Sequence, residues 1–214
     1  MNIEEFKDVR AIDEPNKHRL RKVEIQDLFE FQPFIDGYHM QFGVHKGATL
    51  DIMAKLKPEV TWHGFDSFEG LPNDWDLGEK IVKWDKFKLS EPPQVRDNVV
   101  LVEGWYVDTV PEFEKVMTGP IAFMDIDCDV YKSARTVLFG MDTRIVPGTV
   151  IRFDEICDWR TLKGWVKNKG RVSKYTTWAK HEWKALNEWI KECNRTIKPI
   201  HRSNHMSGTV LVTQ

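Results

Sequence analysis

Acidic residues follow two apolar segments of the chain, 121–126 and 149–153, at the points where these segments end. The acids concerned are Asp125, Asp127, Asp129, Asp154 and Glu155. If both segments are strands that lie side by side, their acids converge at one edge of a sheet and repel one another unless a cation or a shared proton lies among them. Ligands that are all oxygen atoms suit a hard ion, so this pattern favours a site for Mg²⁺ or Mn²⁺.

A simpler interpretation exists for Asp129 alone, because it could cap a helix that is predicted to begin near Tyr131. Capping does not account for Asp154 and Glu155, which follow the other segment. Because the acids repel one another, replacement of a metal ligand is expected to leave the metal-free fold equally stable or more stable.

A turn that contains glycine follows an earlier apolar segment, 38–42. Gly43 and Gly47 have the spacing GxxxG. Glycine permits a tight turn and a close approach of the backbone to a ligand. This spacing lacks the middle glycine of the dinucleotide-binding fingerprint, so a structural turn explains it as well as a ligand loop does.

Asp66 ends the next apolar segment, 60–65, and lies 23 residues after Gly43. Ligands of open α/β sheets bind beyond the carboxyl ends of the strands, where a carboxylate can accept both hydroxyls of a ribose. Together with the glycine turn, Asp66 predicts a cofactor that contains adenosine. The alternative is that Asp66 caps the turn that follows it.

The segments that must position these residues alternate between strand-like and helix-like patterns. Predicted strands are 38–42, 60–65, 99–102, 121–126, 149–153, 197–202 and 209–213, and predicted helices are 48–56, 131–141 and 180–193. This order predicts an α/β fold with a mostly parallel sheet, helices on both faces and an antiparallel strand at the end. Residues 1–36 are predicted to be helical, and segment 67–98 is long and polar enough to be a lid.

The composition is that of a single globular domain, with 214 residues, 41% hydrophobic and 30% charged. The longest apolar runs fall far short of the ~20 residues of a membrane span, and the acidic N-terminus is unlike a signal peptide. Cys128, Cys157 and Cys193 make an odd count without CxxC spacing. These features favour a protein of a reducing compartment, the cytoplasm, with no membrane partner.

Charge is distributed unevenly along the chain. Between Arg160 and Arg202 there are 12 Lys and Arg against 3 Asp and Glu, although the net charge is −2. Either a solvated basic face or a rim that receives an anionic acceptor explains this bias. Residues 159–195 are therefore expected to form a basic helical insertion.

Four motifs, in this order, resemble the macrocin O-methyltransferase (TylF-like) family. They are Phe42-Gly43-Val44 with Gly47, then Gly64-Phe65-Asp66-Ser67-Phe68-Glu69-Gly70-Leu71-Pro72, then Asp127-Cys128-Asp129-Val130-Tyr131-Lys132-Ser133, and Val146-Pro147-Gly148 running to Phe153-Asp154-Glu155. The resemblance extends from about residue 38 to the C-terminus. It implies a Rossmann-like class I methyltransferase fold with a seven-stranded sheet. It also implies an S-adenosylmethionine-dependent, divalent-metal-dependent O-methyltransferase that acts on a sugar hydroxyl of a glycan, a nucleotide sugar or a glycosylated small molecule.

The resemblance also implies roles for individual residues. Asp127, Asp154 and Glu155 are expected to hold the metal, and Asp129 is expected to be the base. The residues expected around the cofactor are Gln41, Phe42, Gly43, Val44, Gly47, Asp66, Ser67, Gly104 and Trp105. Gln41 departs from the pattern, because class I enzymes usually carry an acid at this position.

Two other functions remain open at this point. The basic segment would suit a methyltransferase that acts on RNA or another nucleic acid, but an acid-rich site argues against a nucleic-acid partner. A non-catalytic scaffold that binds the cofactor would not need the complete set of acids. If the metal assignment fails, Asp129, His45 or His63 is the alternative base. The oligomeric state is left open, with a homodimer as one option.

Overall fold

The structure is a computed structural model that describes residues 1–14, 16–165 and 175–214. The strands are β1 (Arg10–Ile12), β2 (Tyr38–Phe42), β3 (Trp62–Asp66), β4 (Trp75–Asp76), β5 (Ile81–Val82), β6 (Val99–Glu103), β7 (Ile121–Ile126), β8 (Val150–Phe153), β9 (Ile197–Ser203) and β10 (Gly208–Val212). The α-helices are α1 (Lys17–Phe31), α2 (Ala48–Leu56), α3 (Tyr106–Val116), α4 (Tyr131–Gly140) and α5 (Glu182–Glu192).

Among the described residues, eight strands form one sheet in the order β1-β9-β10-β8-β7-β2-β3-β6. The strands β8, β7, β2, β3 and β6 pair in parallel, and β10 runs antiparallel to both of its neighbours. The predicted parallel sheet with a final antiparallel strand is therefore confirmed.

The sheet has one strand more than the seven predicted, and the extra strand is β1. It lies within the segment 1–36 that was predicted to be helical, and it pairs in parallel with β9 at the sheet edge. Arg10 and Ala11 are exposed, so β1 lacks the alternation of buried and exposed residues by which a half-buried strand is recognised. Helix α1 occupies the second half of the segment, as predicted.

Helices cover both faces of the sheet, because the central strands are apolar on both sides. Every residue of β7 is buried. On one face α4 and α5 contribute Val137, Leu138, Leu186 and Trp189 to the main core cluster. On the other face α1 and α2 contribute Ile25, Leu28, Leu50 and Met53 to a second cluster. Both sets follow the helical spacing that buries one stripe of each helix.

Segment 67–98, the predicted lid, packs in part against Val130, which follows β7, and we call this segment the cover. The strands β4 and β5 form an antiparallel hairpin. Trp75 and Val82 of this hairpin join Val130 and Tyr175 in a third apolar cluster, and Gly78 pairs with Tyr175 in an isolated β-bridge. The cover is thus built from ordered contacts, and its closure over a bound ligand stays a prediction.

The predicted basic insertion, 159–195, contains two short 3-10 turns, Trp159–Thr161 and Trp178–Lys180, followed by α5. Its central part, 166–174, lies outside the described residues. In the part of the chain that the structure describes, no helix combines the length and the apolar character that a membrane crossing requires. The three cysteines are all free.

The turn after β2 depends on Gly43, whose φ is +96°. A Cβ at this position would lie 1.7 Å from the carbonyl oxygen of Asp127. We expect Gly43→Ala to lower the free energy of unfolding by about 2–4 kcal/mol, because strain and a backbone clash act together. Urea denaturation measures the effect.

Gly119→Ala is the matched control, because a Cβ there would meet nothing within 4 Å and the φ of Gly119 is not in the left-handed region. If the two variants lose equal stability, the close approach of Gly43 to Asp127 is not the cause.

Candidate active site

The acids predicted to bind metal meet at the carboxyl edge of the sheet, where β7 and β8 run side by side. The strand register sets Ile126 beside Phe153, so Asp127 and Asp154 leave their strands at the same level. One carboxylate oxygen from each of Asp127, Asp154 and Glu155 lies within 4.8 Å of the other two. The tertiary structure therefore brings these three residues together, and we call them the acidic triad.

Asp125 lies within β7, before this edge, and both of its carboxylate oxygens accept hydrogen bonds from other side chains of the protein. It is completely buried. Its Oδ1 accepts a hydrogen bond from Nη1 of Arg152 at 2.6 Å, and its Oδ2 accepts one from Nε2 of Gln41 at 3.0 Å. Asp125 thus helps to hold Arg152 in place and lies outside the triad.

Arg152 of β8 is a buried cation that the sequence-based prediction did not include. Its guanidinium donates to Asp125, to Oε1 of Glu24 at 3.1 Å and to Oδ1 of Asp154 at 2.6 Å. A buried charge is tolerated when it is paired and hydrogen-bonded in this way. The signal available in the sequence was one basic residue within the otherwise apolar segment Val150–Phe153.

A second guanidinium reaches the acidic triad from α1. Nη2 of Arg21 donates to Oδ2 of Asp154. Its Nη1 donates to Oγ1 of Thr49 at 2.8 Å and lies 3.7 Å from Oδ2 of Asp127. The sequence predicted only that this segment is helical, and it gave no sign of this contact.

These charges shift the acids in opposite directions. Burial alone would raise the pKa of Asp154, but Arg21 and Arg152 outweigh burial and hold this pKa below its ordinary value. Burial, reinforced by the charge of Asp154, raises the pKa of Asp127 and of Glu155 well above the ordinary range. Asp154 is therefore the anionic member of the metal-free triad. The expectation that replacement of a metal ligand leaves the metal-free fold equally stable or more stable now applies only to Asp127 and Glu155.

The acidic triad fits a hard divalent cation. All of its donors are carboxylate oxygens, the ligands that Mg²⁺ and Mn²⁺ prefer. Within the described structure, Oε2 of Glu155 is buried without a hydrogen-bond partner. Glu182 of α5 adds a further buried acid next to the triad, since it accepts the backbone N–H of Glu155 at 3.2 Å. A bound dication would offset these charges and give the unpartnered oxygen a ligand bond.

Asp129, the predicted base, lies two residues beyond Asp127 in a left-handed conformation with φ of +62°. It does not cap α4, because the N-cap residue is Val130 and no side chain caps this helix. Its carboxyl group is nearly buried. Burial and the charge of Asp154 raise the pKa of Asp129 to about 8. A non-glycine residue held in a rare conformation is common at functional sites.

Asp66 makes the capping contacts that the sequence offered as an alternative. Its Oδ2 accepts the backbone N–H groups of Val44 at 2.9 Å and His45 at 2.7 Å, and its Oδ1 accepts that of Phe68 at 2.8 Å. The carboxylate therefore fastens the glycine turn to the end of β3. The same residue lines the cavity described next, and its contact with a ribose stays a prediction.

A cavity of about 260 Å³ lies at this edge of the sheet, and Asp127, Asp129 and Glu155 are part of its wall. Of the residues expected around the cofactor, those that line the cavity are Gly43, Val44, Asp66, Ser67, Gly104 and Trp105. Of the two alternative bases, His45 lines the cavity and His63 packs between Tyr38 and Phe113. Two of the three predicted metal ligands, the predicted base and six of the nine residues expected around the cofactor thus share one space.

The other three residues expected around the cofactor lie outside the cavity lining. Gln41 and Phe42 are completely buried within β2, where the amide of Gln41 binds Asp125 and the ring of Phe42 stacks on Phe65 with centroids 4.7 Å apart. Gly47 is the N-cap of α2, with φ of +77°. Gln41 and Phe42 are thus packed inside the protein and Gly47 begins α2. The contact of these three residues with a cofactor stays a prediction.

Comparison with known proteins identifies one matching family and several solved structures of similar fold. The model of the macrocin-O-methyltransferase (TylF) family matches residues 16–171. The calicheamicin methyltransferase CalS11 shares 19% identity with a TM-score of 0.62, over 92% of this chain and 80% of that chain. The O-methyltransferase NovP shares 16% identity with a TM-score of 0.58, over 91% and 78%. No curated protein gave a significant match.

A third structure, the methyltransferase MycE of the mycinamycin biosynthetic pathway in complex with Mg and SAH, shares 14% identity with a TM-score of 0.52. The alignment covers 92% of this chain and 49% of MycE. CalS11 is also described as a TDP-rhamnose 3'-O-methyltransferase. Similarity at these identities shows the fold, which is that of class I methyltransferases.

The network around Arg152 yields a stability prediction. Arg152→Met would leave Glu24, Asp125 and Asp154 without their shared cation inside the protein. We expect a loss of about 3–5 kcal/mol in the free energy of unfolding, because unpaired buried charge is costly. Arg96→Met is the control, since Arg96 and Asp51 form an exposed pair whose loss should cost at most about 1 kcal/mol. Similar losses in both variants would contradict the central role of Arg152.

The raised pKa of Asp129 predicts a pH dependence in the metal-free protein. The folded state binds this proton more tightly than the unfolded state, so the contribution of Asp129 to stability falls as pH rises from its ordinary pKa to about 8. We expect the wild type in EDTA to lose more stability than Asp129→Asn between about pH 6 and pH 8. Thermal melting across this range checks the difference, and parallel profiles would contradict it.

Proposed function

This chain belongs to the macrocin O-methyltransferase (TylF) family, and we propose that it is an S-adenosylmethionine-dependent enzyme that methylates a sugar hydroxyl with the help of a divalent metal ion. The observation that carries the proposal is the acidic triad, whose members come from the ends of two neighbouring strands. Two of its members, Asp127 and Glu155, line the same cavity as Gly43 of the glycine turn and Asp66. One space therefore offers a place for the cofactor, the ion and the acceptor.

The adenosine end of the cofactor belongs at the β3 and β6 side of the cavity. Asp66 ends β3 with its carboxylate at the cavity wall, and Gly104 and Trp105 follow β6. Ligands of such sheets bind beyond the carboxyl ends of the strands. Backbone N–H groups occupy three of the about four acceptor positions of the Asp66 carboxylate, so one position on Oδ1 is left to accept a ribose hydroxyl. The Trp105 ring offers a face on which an adenine can stack.

Asp127, Asp154 and Glu155 would hold the ion. When bound, the cofactor supplies an activated methyl group and the ion stabilises the negative charge that develops on the acceptor hydroxyl. Arg21 and Arg152 keep Asp154 anionic, so this ligand is already deprotonated before an ion arrives. The other two acids must release protons as they become ligands, since metal binding requires carboxylates.

Asp129 would take the proton of the sugar hydroxyl onto its carboxylate. It borders the cavity with Asp127 and Glu155, and its backbone is in the left-handed region. General-base catalysis by a positioned carboxylate contributes typically ~10²–10⁴-fold. Three carboxylates would thus hold the ion while Asp129 would act as the base. Its pKa is about 8 in the metal-free protein, and the charge of a bound ion would favour the deprotonated form that a base requires.

The cover formed by segment 67–98 contributes water exclusion. Leu71 and Trp75 line the cavity, and both belong to the apolar cluster with Val130 and Tyr175. Apolar walls near the reacting atoms strengthen the electrostatic interactions inside and limit side reactions with water.

The acceptor is proposed to be a sugar that carries an anionic group. The support is the excess of Lys and Arg between Arg160 and Arg202, together with the sugar-linked descriptions of CalS11. Mass spectrometry of mixtures that contain nucleotide sugars, glycans or neutral glycosides would identify the acceptor by the gain of one CH₂. Preference for neutral glycosides would limit the proposal to sugar methylation without the anionic group.

Metal dependence tests the proposed function directly. Turnover with S-adenosylmethionine and a sugar acceptor should stop in EDTA and return with Mg²⁺ or Mn²⁺. Glu155→Gln should weaken Mg²⁺ binding, measured by calorimetry, whereas Asp129→Asn should keep Mg²⁺ binding and lose about 10²-fold or more in turnover. Asp97→Asn, at an exposed site, is the control and should match the wild type.

Three results would contradict this proposal. Full activity in EDTA would show that the reaction does not need a metal ion. Methylation of RNA in preference to every sugar tested would favour the nucleic-acid alternative. Binding of the cofactor without turnover on any acceptor would favour a non-catalytic scaffold.

A further inference from the structure

We infer that Arg21 of α1 is the residue that binds the carboxylate of the amino-acid end of S-adenosylmethionine. This inference deepens the proposed function and rests on it, because that function supplies the cofactor. It assigns a ligand contact to α1, a helix that contains none of the four sequence motifs described above.

Position is the first argument. Arg21 lines the cavity together with Thr49, the residue that holds its Nη1 at 2.8 Å. In the strand order β8-β7-β2-β3-β6, Arg21 contacts the acids that follow β7 and β8, whereas Asp66 follows β3 and Trp105 follows β6. A cofactor whose adenosine end lies near Asp66 therefore extends its amino-acid end toward Arg21.

Charge is the second argument. The acidic side chains that line the cavity are Asp66, Asp127, Asp129 and Glu155. A ligand carboxylate placed among them is repelled unless a cation lies beside it. The Lys and Arg residues in the described lining are Arg21 and Lys46. Lys46 is exposed on the turn, whereas Arg21 is held in place by Asp154 and Thr49.

Geometry of the guanidinium is the third argument. An arginine presents several N–H donors in a planar fork that matches a carboxylate. Among the described residues, Asp154 and Thr49 use one donor each. The Arg21 side chain is 40% exposed and lines the cavity, so a ligand there can approach the guanidinium. Because the group is held by neighbours before the ligand arrives, little side-chain entropy is lost on binding.

A pair of ligands that differ only in the carboxylate tests this assignment. The ligands are S-adenosylmethionine and decarboxylated S-adenosylmethionine, titrated by calorimetry in EDTA so that no metal takes part. We expect the wild type to bind the complete cofactor about 10- to 100-fold more tightly than the decarboxylated form. In Arg21→Gln this ratio should fall to about one or below, mainly through weaker binding of the complete cofactor.

Two further variants complete the comparison. Arg21→Lys keeps the charge without the planar fork and should give an intermediate ratio. Arg19→Gln is the matched control on the same helix, because Arg19 is 70% exposed and lies 3.9 Å from Glu14, and its ratio should equal that of the wild type. Thermal melting of each variant shows whether it is folded. If Arg21→Gln does not fold, the ratio of Arg21→Lys decides.

The possible results distinguish failure of the Arg21 assignment from failure of the proposed function. An unchanged ratio in the folded Arg21 variants overturns the inference and leaves the proposed function intact. Equal weakening of both ligands also overturns it, because Arg21 would then only support the cavity. If the wild type binds neither ligand, the proposed function itself fails.

Discussion

The concentration of acids at one sheet edge depends on the buried guanidinium of Arg152. It pairs with Glu24, Asp125 and Asp154 inside the protein, so three carboxylates that would repel one another share a single cation. Buried charges persist only with such hydrogen-bonded partners. Because Arg152 and Arg21 keep Asp154 anionic, one carboxylate of the acidic triad is deprotonated in the metal-free protein.

The acids therefore fall into an inner and an outer group. The inner group, Glu24 and Asp125, is neutralised by protein donors and stabilises the fold. The outer group of Asp127, Asp129 and Glu155 faces the cavity, and burial raises the pKa of each above its ordinary value. Asp154 links the two groups, because it pairs with Arg152 and one of its carboxylate oxygens lies within 4.8 Å of those of Asp127 and Glu155.

Much of the fold follows from local patterns in the sequence. Apolar runs separated by helical stripes predicted the parallel sheet, because strands buried on both faces are mostly apolar. Acids at strand ends predicted a shared edge, since parallel strands end on the same side. The exposed strand β1 could not be predicted in this way, because its pairing with β9 depends on a partner almost 200 residues away.

The sequence alone indicated which residues to expect at the site, namely the acidic triad, Asp129, Asp66 and the glycine turn, because residue types and their spacing relative to strand ends are local properties. Their roles in metal binding and catalysis stay predictions. Only the tertiary structure decided their partners. Arg21 meets Asp154, Gln41 turns to Asp125 and Asp66 fastens the glycine turn. These contacts join residues far apart in the chain, and strand register and helix packing select them, which no local pattern encodes.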